Sequence, residues 1–211
     1  MIKPKAVLII IGIAGLAFSG ILLAALYPEK TTGQKLPVIE RAPDFELINQ
    51  DEQPINLSQF RGKVVVLSFI YVSCHMPKQC PMTTKNFKKL QELLGPGYAD
   101  KTALLLISFD PERDQPGALK KYGELYGVDF RNWSFLTGSQ ETIDKVSADY
   151  QFIKEKETSP ISQPGDVQSY RHSLITFLID QNTNIRKMYF GNTWVADDIK
   201  KDIISLNNNE K

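Results

Sequence analysis

Two near-continuous apolar runs, residues 63–72 and 102–109, constrain the fold of this chain more than any other feature. A strand with one face in water alternates apolar and polar residues, whereas a near-continuous apolar run predicts a strand covered on both faces. Apolar residues at helical spacing follow the runs, in residues 83–94 and 116–126. Buried strands that alternate with helices indicate a layered α/β domain.

The rest of the chain completes a three-layer α/β sandwich whose order resembles a thioredoxin-like fold. Residues 45–47 and 55–57 alternate apolar and polar around a polar turn, which predicts an added N-terminal hairpin. Residues 154–169 are rich in charge, proline and serine and predict an exposed loop. The other predicted elements are a strand at 133–136, a helix at 139–150, a hairpin of 174–179 with 185–189, and a helix at 195–206.

An N-terminal stretch without any charged residue, residues 6–27, predicts one transmembrane helix. At ~1.5 Å rise per residue it would reach roughly 33 Å, enough to cross a hydrocarbon core of ~30 Å. Lys3 and Lys5 precede it and favour a cytoplasmic N-terminus. The alternative is a cleaved signal peptide, although the apolar core of such peptides is usually shorter.

These features divide the chain into five parts: a cytoplasmic N-terminus (1–5), a transmembrane anchor (6–27), a linker (28–41), the α/β domain (42–206) and a polar tail (207–211). We therefore expect a single-pass protein of the cell membrane whose soluble domain is periplasmic or otherwise extracytoplasmic, where disulfides persist. The formal net charge is +1, and the domain has no basic stripe. This composition argues against nucleic acid as a partner.

Both cysteines of the chain, Cys74 and Cys80, lie in one loop between the first apolar run and the helix that follows it. Reactive groups at the carboxyl end of a buried strand, facing a helix N-terminus, are a recurring active-site arrangement in α/β folds. Cys80 would sit in the first turn of that helix, a location that favours the thiolate. The pair predicts a redox dithiol, a soft-metal site, or a disulfide that only staples the loop.

His172 comes just before the apolar strand at 174–179. If this strand is a neighbour of the first apolar run in the sheet, His172 approaches the cysteine loop. Two thiolates and one imidazole would suit copper, with Cu(I) favoured by the soft sulfurs. His75 competes for the same role, but on an extended backbone it would point away from the side chain of Cys74.

Asp110 follows the second apolar run, at the same edge of the sheet as Cys74. It could accept a hydrogen bond behind the site or influence the protonation of the thiols. The alternative is an Asp-Pro turn in which Arg113 forms an ion pair and caps the next helix.

Together these residues resemble the Sco/SenC family of membrane-anchored copper-binding proteins with a thioredoxin-like fold. The resemblance covers most of residues 40–206. It is carried by four motifs: Ala42-Pro43-Asp44-Phe45, the cysteine loop ending in Cys80-Pro81, Asp110-Pro111-Glu112-Arg113-Asp114, and His172 followed by Thr176-Phe177-Leu178-Ile179-Asp180.

The resemblance implies copper held by Cys74, Cys80 and His172. It also implies a metallochaperone that supplies copper to, or reduces the thiols of, the dinuclear copper site of cytochrome c oxidase. The implied partner is the copper-receiving subunit of a respiratory oxidase or another thiol client. The family commonly has three residues between its cysteines and this chain has five. That difference leaves room for a second hypothesis, a thiol-disulfide oxidoreductase that uses Cys74 and Cys80 without copper.

Overall fold

The computed structural model describes residues 36–74, 79–157 and 169–208. The predicted transmembrane anchor and His75 lie outside the described residues. Within the described ranges, no helix is both long and apolar enough to cross a membrane. All described residues belong to one compact unit, Lys35–Lys211.

This unit contains ten strands and five α-helices in its described residues. The strands are β1 (Glu40–Arg41), β2 (Glu46–Asn49), β3 (Pro54–Asn56), β4 (Val64–Ile70), β5 (Thr102–Ser108), β6 (Trp133–Thr137), β7 (Lys154–Lys156), β8 (Tyr170–His172), β9 (Ile175–Ile179) and β10 (Asn184–Phe190). The helices are α1 (Cys80–Leu94), α2 (Pro96–Ala99), α3 (Pro116–Leu125), α4 (Gln140–Asp149) and α5 (Ala196–Asn208).

An eight-stranded sheet organises the domain, in the order β1-β10-β9-β4-β5-β6-β2-β3. β4, β5 and β6 are parallel at its centre, and β9 runs antiparallel to β4. The hairpin of β9 and β10 extends one side, and the hairpin of β2 and β3 joins β6 on the other. β7 and β8 form a separate two-stranded ribbon.

The two apolar runs form the buried centre, as predicted. Every residue of β4 and β5 is buried. Because successive strand residues point to opposite faces, complete burial requires cover on both faces of the sheet. Phe87 of α1 packs against Trp133, and Tyr150, directly after α4, packs against Phe69. The result is the predicted three-layer sandwich.

Both predicted hairpins are confirmed, as β2–β3 and β9–β10. β9 is a neighbour of β4, which is the condition under which His172 was expected to approach the cysteine loop. The prediction of a loop throughout residues 154–169 was wrong for Lys154–Lys156, which form β7. Lys154–Lys156 pairs with β8, with Lys154 opposite His172. The Lys154 ammonium also reaches Asp144 at 2.8 Å and the carbonyl of Phe109 at 3.1 Å. These contacts hold a polar strand that has no apolar periodicity of its own.

The ends of the domain differ slightly from the predicted boundaries. Glu40–Arg41, the last residues of the predicted linker, form β1 and pair with β10. At the other end, α5 continues to Asn208, two residues into the predicted polar tail.

Candidate metal centre

The predicted site residues lie together at the end of the sheet where β4 and β5 terminate, which we call the thiol end. Cys74 lies four residues beyond β4, and Cys80 is the first residue of α1. Asp110 lies two residues beyond β5, and His172 is the last residue of β8. The parallel register of β4 and β5, with Ile70 opposite Ser108, brings both strand ends to one edge. His75 lies outside the described residues.

Cys80 and His172 are in contact across the site, with 3.8 Å between Sγ and Nε2. Two ligands of one small thiophilic ion, with bonds of about 2.3 Å to sulfur and about 2.0 Å to nitrogen, lie roughly 3.5 Å apart at a tetrahedral angle and roughly 3.7 Å apart at a trigonal one. The two atoms are therefore spaced as ligands of one ion. Without an ion, a sulfur–imidazole hydrogen bond accounts for the same separation.

The orientation of His172 suits metal binding. Its Nδ1 lies 2.8 Å from the carbonyl oxygen of Ser173. Because a carbonyl oxygen only accepts, Nδ1 carries the proton and donates it. Nε2 then keeps its lone pair, which faces Cys80. A neutral imidazole whose other nitrogen is fixed by a backbone carbonyl is a common form of a metal-binding histidine.

Three aromatic rings surround the imidazole of His172. The centroid of Phe109 lies 4.9 Å from it, that of Phe152 5.9 Å and that of Tyr71 6.1 Å. All three side chains are buried. They restrict the imidazole plane and exclude water from its sides, which strengthens electrostatic interactions there.

Sequence reasoning missed these rings as parts of the site. A signal for two of them exists, because Tyr71 and Phe109 each follow directly after one of the two central strands, at the edge that carries the cysteine loop. The sequence alone does not distinguish such a position from ordinary core.

The two cysteine side chains are reduced and buried. A hydrogen bond with the Cys74 thiol, together with burial, raises the pKa of Cys80 above its ordinary value. The position of Cys80 at a helix N-terminus alone predicted a lowered pKa for this thiol. The neighbouring thiol and the loss of water outweigh it, because a buried thiolate is poorly solvated. A cation between the sulfurs would reverse this balance, since metal binding displaces thiol protons.

Asp110 is buried and contacts the strand that carries His172. Its carboxylate accepts hydrogen bonds from Arg113 Nη1 at 3.0 Å and from the Tyr170 hydroxyl at 3.4 Å. Tyr170 lies two residues before His172 on β8. The structure shows the ion pair with Arg113 from the second interpretation. The role of Asp110 behind the site stays a prediction, since its carboxylate reaches β8 through Tyr170 and not through His172.

A second buried carboxylate, Asp114, fixes the start of the cysteine loop. Its Oδ2 accepts hydrogen bonds from Ser108 Oγ at 2.5 Å and from the backbone N–H of Val72 at 3.0 Å. Val72 lies two residues before Cys74. Burial raises the pKa of Asp114 to about 6. Sequence reasoning treated this residue only as part of the 110–114 motif.

The described residues contain no group of three His, Cys, Asp or Glu side chains gathered closely enough to hold a metal ion. The Cys80–His172 pair is already at ligand spacing. A third ligand would have to move closer when an ion binds. Cys74 is the candidate from the predicted set, because its thiol is already hydrogen-bonded to that of Cys80.

Comparison with known proteins gives a consistent match. The family model described as SCO1/SenC matches residues 34–207. The SCO1 protein homolog of Bacillus subtilis is 31% identical over 180 residues, which cover 82% of this chain and 87% of that protein. A putative copper-binding protein of Stutzerimonas stutzeri is 32% identical over 112 residues, which cover 53% of this chain and 52% of that protein.

Solved structures share the fold and confirm its thioredoxin-like α/β class. A SCO1/SenC family lipoprotein from Bacillus anthracis matches with a TM-score of 0.68 and 32% identity, over 79% of this chain and 95% of that one. BsSco, a Sco-family cytochrome c oxidase assembly protein with a disulfide switch, matches with a TM-score of 0.65 and 27% identity, over 82% of this chain and 96% of that one. Copper-bound ScoI of Bradyrhizobium japonicum matches with a TM-score of 0.67 and 22% identity, over 79% of this chain and 99% of that one. This match shows a common fold.

Proposed function

The chain belongs to the SCO1/SenC family, and from that premise we propose that it binds copper through Cys74, Cys80 and His172 and acts in the assembly of cytochrome c oxidase. The observation that carries this proposal is the 3.8 Å contact between Cys80 Sγ and His172 Nε2, with Nδ1 held by a carbonyl. Copper is the cargo, passed to a copper-receiving oxidase subunit.

The chemistry of the site supports copper as the cargo. Thiolates and a neutral imidazole select soft or borderline ions, and sulfur favours Cu(I). One matched relative is named a putative copper-binding protein, and one matched structure holds copper. Both facts describe those proteins and support the same assignment here.

Each group of the site has a distinct task in this function. Cys80 and His172 provide two preset donor atoms, and Cys74 completes the set. Hydrogen bonding to Cys74 and burial raise the pKa of Cys80, so the empty site keeps its thiol protons until a cation replaces them. The aromatic rings keep water from the imidazole, and Asp110 supports β8 through Tyr170. Because copper has to displace these thiol protons, copper affinity should rise with pH.

The proposed setting is the extracytoplasmic side of the cell membrane. The uncharged stretch of residues 6–27 and the preceding lysines support a retained anchor, a cytoplasmic N-terminus and a linker over 28–41. The protein should stay with membranes through a high-salt wash. A soluble mature form that begins between residues 18 and 28 would contradict the anchor.

A thiol-disulfide exchange function is the second candidate, favoured by the contact between the two cysteine thiols. One cysteine thiolate would attack a client disulfide and form a mixed disulfide, releasing one client thiolate. The other cysteine would then displace the second client thiolate. The client disulfide gains two electrons, and Cys74 and Cys80 lose two as their own disulfide forms. A relative with a disulfide switch is in line with this chemistry.

Copper titration of the fully reduced chain separates these candidates. We expect His172→Ala to lower copper affinity by about 100-fold or more, since even losing a residue that supports a ligand costs 10–100-fold. The Cys74–Cys80 disulfide should still form in that variant. His75→Ala serves as the matched control and should change affinity little.

Three outcomes would change the assignment. Equal affinities in wild type and His172→Ala would remove His172 from the ligand set. A large loss in His75→Ala alone would move the imidazole ligand into the cysteine loop. No copper binding in wild type, with normal disulfide exchange, would favour the thiol-disulfide function.

A further inference from the structure

A polar cleft lies at the opposite end of the sheet, where β4 begins, which we call the arginine end. Its volume is about 500 Å³. It is lined by Arg41, Arg61, Gly62, Gln181, Asn182 and Asn184. The function proposed above uses none of these residues.

Three separate segments build this cleft. Arg41 on β1 pairs directly with Asn184 on β10, so their side chains lie side by side. Gly62 comes just before β4, and its N–H donates to the carbonyl of Gln181 at 2.9 Å. Gly62 has a φ of +82°, a conformation that side-chain-bearing residues rarely adopt. The backbone thus holds both arginine-bearing segments against the β9–β10 turn.

The cleft carries positive charge that no carboxylate of the described residues pairs with. Neither Arg41 nor Arg61 takes part in any ion pair formed by the described residues. The carboxylate nearest in sequence to the β9–β10 amides, Asp180, is already engaged. It binds Arg186 at 2.8 Å and the backbone N–H groups of Asn182 and Asn184 at 3.0 and 2.8 Å.

We propose that this Arg41–Arg61 cleft binds a phosphate group. Guanidinium groups present paired N–H donors that match phosphate oxygens, and such charge-assisted bonds are stronger than neutral ones. Gln181 and Asn184 line the same cleft. Gln181 Nε2 donates to the Leu206 carbonyl at 3.4 Å and Asn184 Nδ2 to Asp180 at 3.3 Å, and each primary amide has a second N–H that can add a donor. The ligand class is a phosphate ester or inorganic phosphate, and the headgroup of an anionic phospholipid has the same chemistry.

The lipid source follows from the length of the chain, and this part rests on the proposed anchor. Arg41 lies fourteen residues after residue 27, the end of the uncharged stretch. Residues 36–41 are held against β10 by the Ile39 N–H, the Pro37 carbonyl and the β1 pairing, so the tether outside the domain is residues 28–35. Eight extended residues span at most about 29 Å, and a domain on a tether of this length can bring Arg41 to the membrane surface. The thiol end lies about 20 Å away along the seven residues of β4, so headgroup binding would leave it open to a partner.

The first test uses the full chain in zwitterionic detergent micelles. Thermal unfolding is followed with sodium phosphate and with sodium chloride at equal ionic strength. At a phosphate concentration about tenfold above Kd we expect Tm to rise by about 3–6 °C in wild type. The double variant Arg41→Gln/Arg61→Gln should lose this rise. Arg131→Gln, which removes an exposed guanidinium elsewhere, should keep it.

The second test distinguishes the two sources of phosphate. The full chain is reconstituted in phosphatidylcholine bilayers with and without phosphatidylglycerol. A Tm increase that depends on phosphatidylglycerol, present in Arg131→Gln and absent in the double variant, assigns the cleft to lipid headgroups. A phosphate effect in micelles without any lipid effect assigns it to a soluble phosphate compound.

Either of two results would overturn the proposal: no phosphate-specific rise in wild type, or an equal rise in the double variant. Copper titration of the double variant keeps the conclusions separate. Its copper affinity should equal that of wild type, so a failure of the phosphate site and a failure of the copper site give different results.

Discussion

The two ends of the central sheet differ in how their charged and polar groups are satisfied. At the thiol end, Cys80 contacts His172, Asp114 holds Val72, and aromatic rings enclose the imidazole. At the arginine end, Arg186 and Asp180 form a buried pair, while Arg41 and Arg61 stay exposed beside them. The same strands thus connect a site whose groups contact one another to a cleft whose two arginines form no ion pair with any residue that the structure describes.

This difference predicts different consequences of substitution. A group enclosed by packing contributes to folding and to function together, so its removal affects both. An exposed cation without a protein partner contributes little to folding, so its removal affects only the ligand.

The largest effect on stability is expected at the thiol end. Phe109→Ala removes a fully buried ring that contacts His172, Tyr71 and Phe152. We expect a loss of about 3–5 kcal/mol in the free energy of unfolding, because the cavity adds to the lost transfer energy. Copper affinity should fall as well. Urea denaturation and copper titration measure the two effects.

Leu125→Ala is the control for this substitution, because Leu125 is 82% exposed. It should change the free energy of unfolding by no more than about 0.5 kcal/mol. If Phe109→Ala were no more damaging than this control, the packed character of the thiol end would be disproved.

The next largest effect on stability distinguishes Arg186 from Arg61 at the arginine end. Arg186→Gln leaves the buried Asp180 carboxylate without its cation and removes a hydrogen bond to the carbonyl of Pro37. Breaking a buried pair costs about 3–5 kcal/mol in general, and we expect about 3 kcal/mol here. Arg61→Gln should stay within about 0.5 kcal/mol of wild type. Comparable losses in both variants would show that Arg61 is structural and would count against a ligand role.

The smallest effect concerns pH and Asp114. Its pKa is raised to about 6 by burial, so the folded chain binds this proton more tightly than the unfolded chain does. Its contribution is therefore fully present below the ordinary carboxyl pKa and is lost as pH rises through 6. The loss is at most about 3 kcal/mol and we expect about 2.

Asp114→Asn tests this dependence, because the amide resembles the neutral carboxyl and cannot titrate. The stability of the variant relative to wild type should increase between pH 4.5 and pH 7.5 in urea denaturation. Asp129→Asn, at an exposed carboxylate whose pKa Arg131 lowers, should show no such increase. Parallel pH curves for wild type and Asp114→Asn would contradict the assignment.

Much of the fold followed from local patterns. The apolar runs predicted β4 and β5, the turn residues predicted both hairpins, and the neighbourhood of β4 and β9 was enough to expect His172 near the cysteine loop. These features depend on periodicity and on strand direction, which a single sequence displays.

The features that the sequence did not predict depend on contacts between distant segments. β7 is held by pairing with β8 and by the side chain of Lys154, and neither appears in its own composition. The direction of the Cys80 pKa depends on burial and on Cys74, whereas the sequence showed only a helix N-terminus. Arg41 belonged to a predicted linker, yet β1 places it in the cleft beside Asn184.

Cys80 and His172 lie on elements that differ in how firmly they are held to the domain, because His172 belongs to the separate β7–β8 ribbon. Cys80 is the first residue of a fifteen-residue helix that packs against α5. His172 ends a ribbon of three residue pairs outside the eight-stranded sheet. Short ribbons of this kind open by local fluctuation, at a free-energy cost well below that of global unfolding. Amide hydrogens of β8 should therefore exchange with solvent earlier than those of α1. Under the proposed copper site, the imidazole would be the donor that opening of the ribbon moves first.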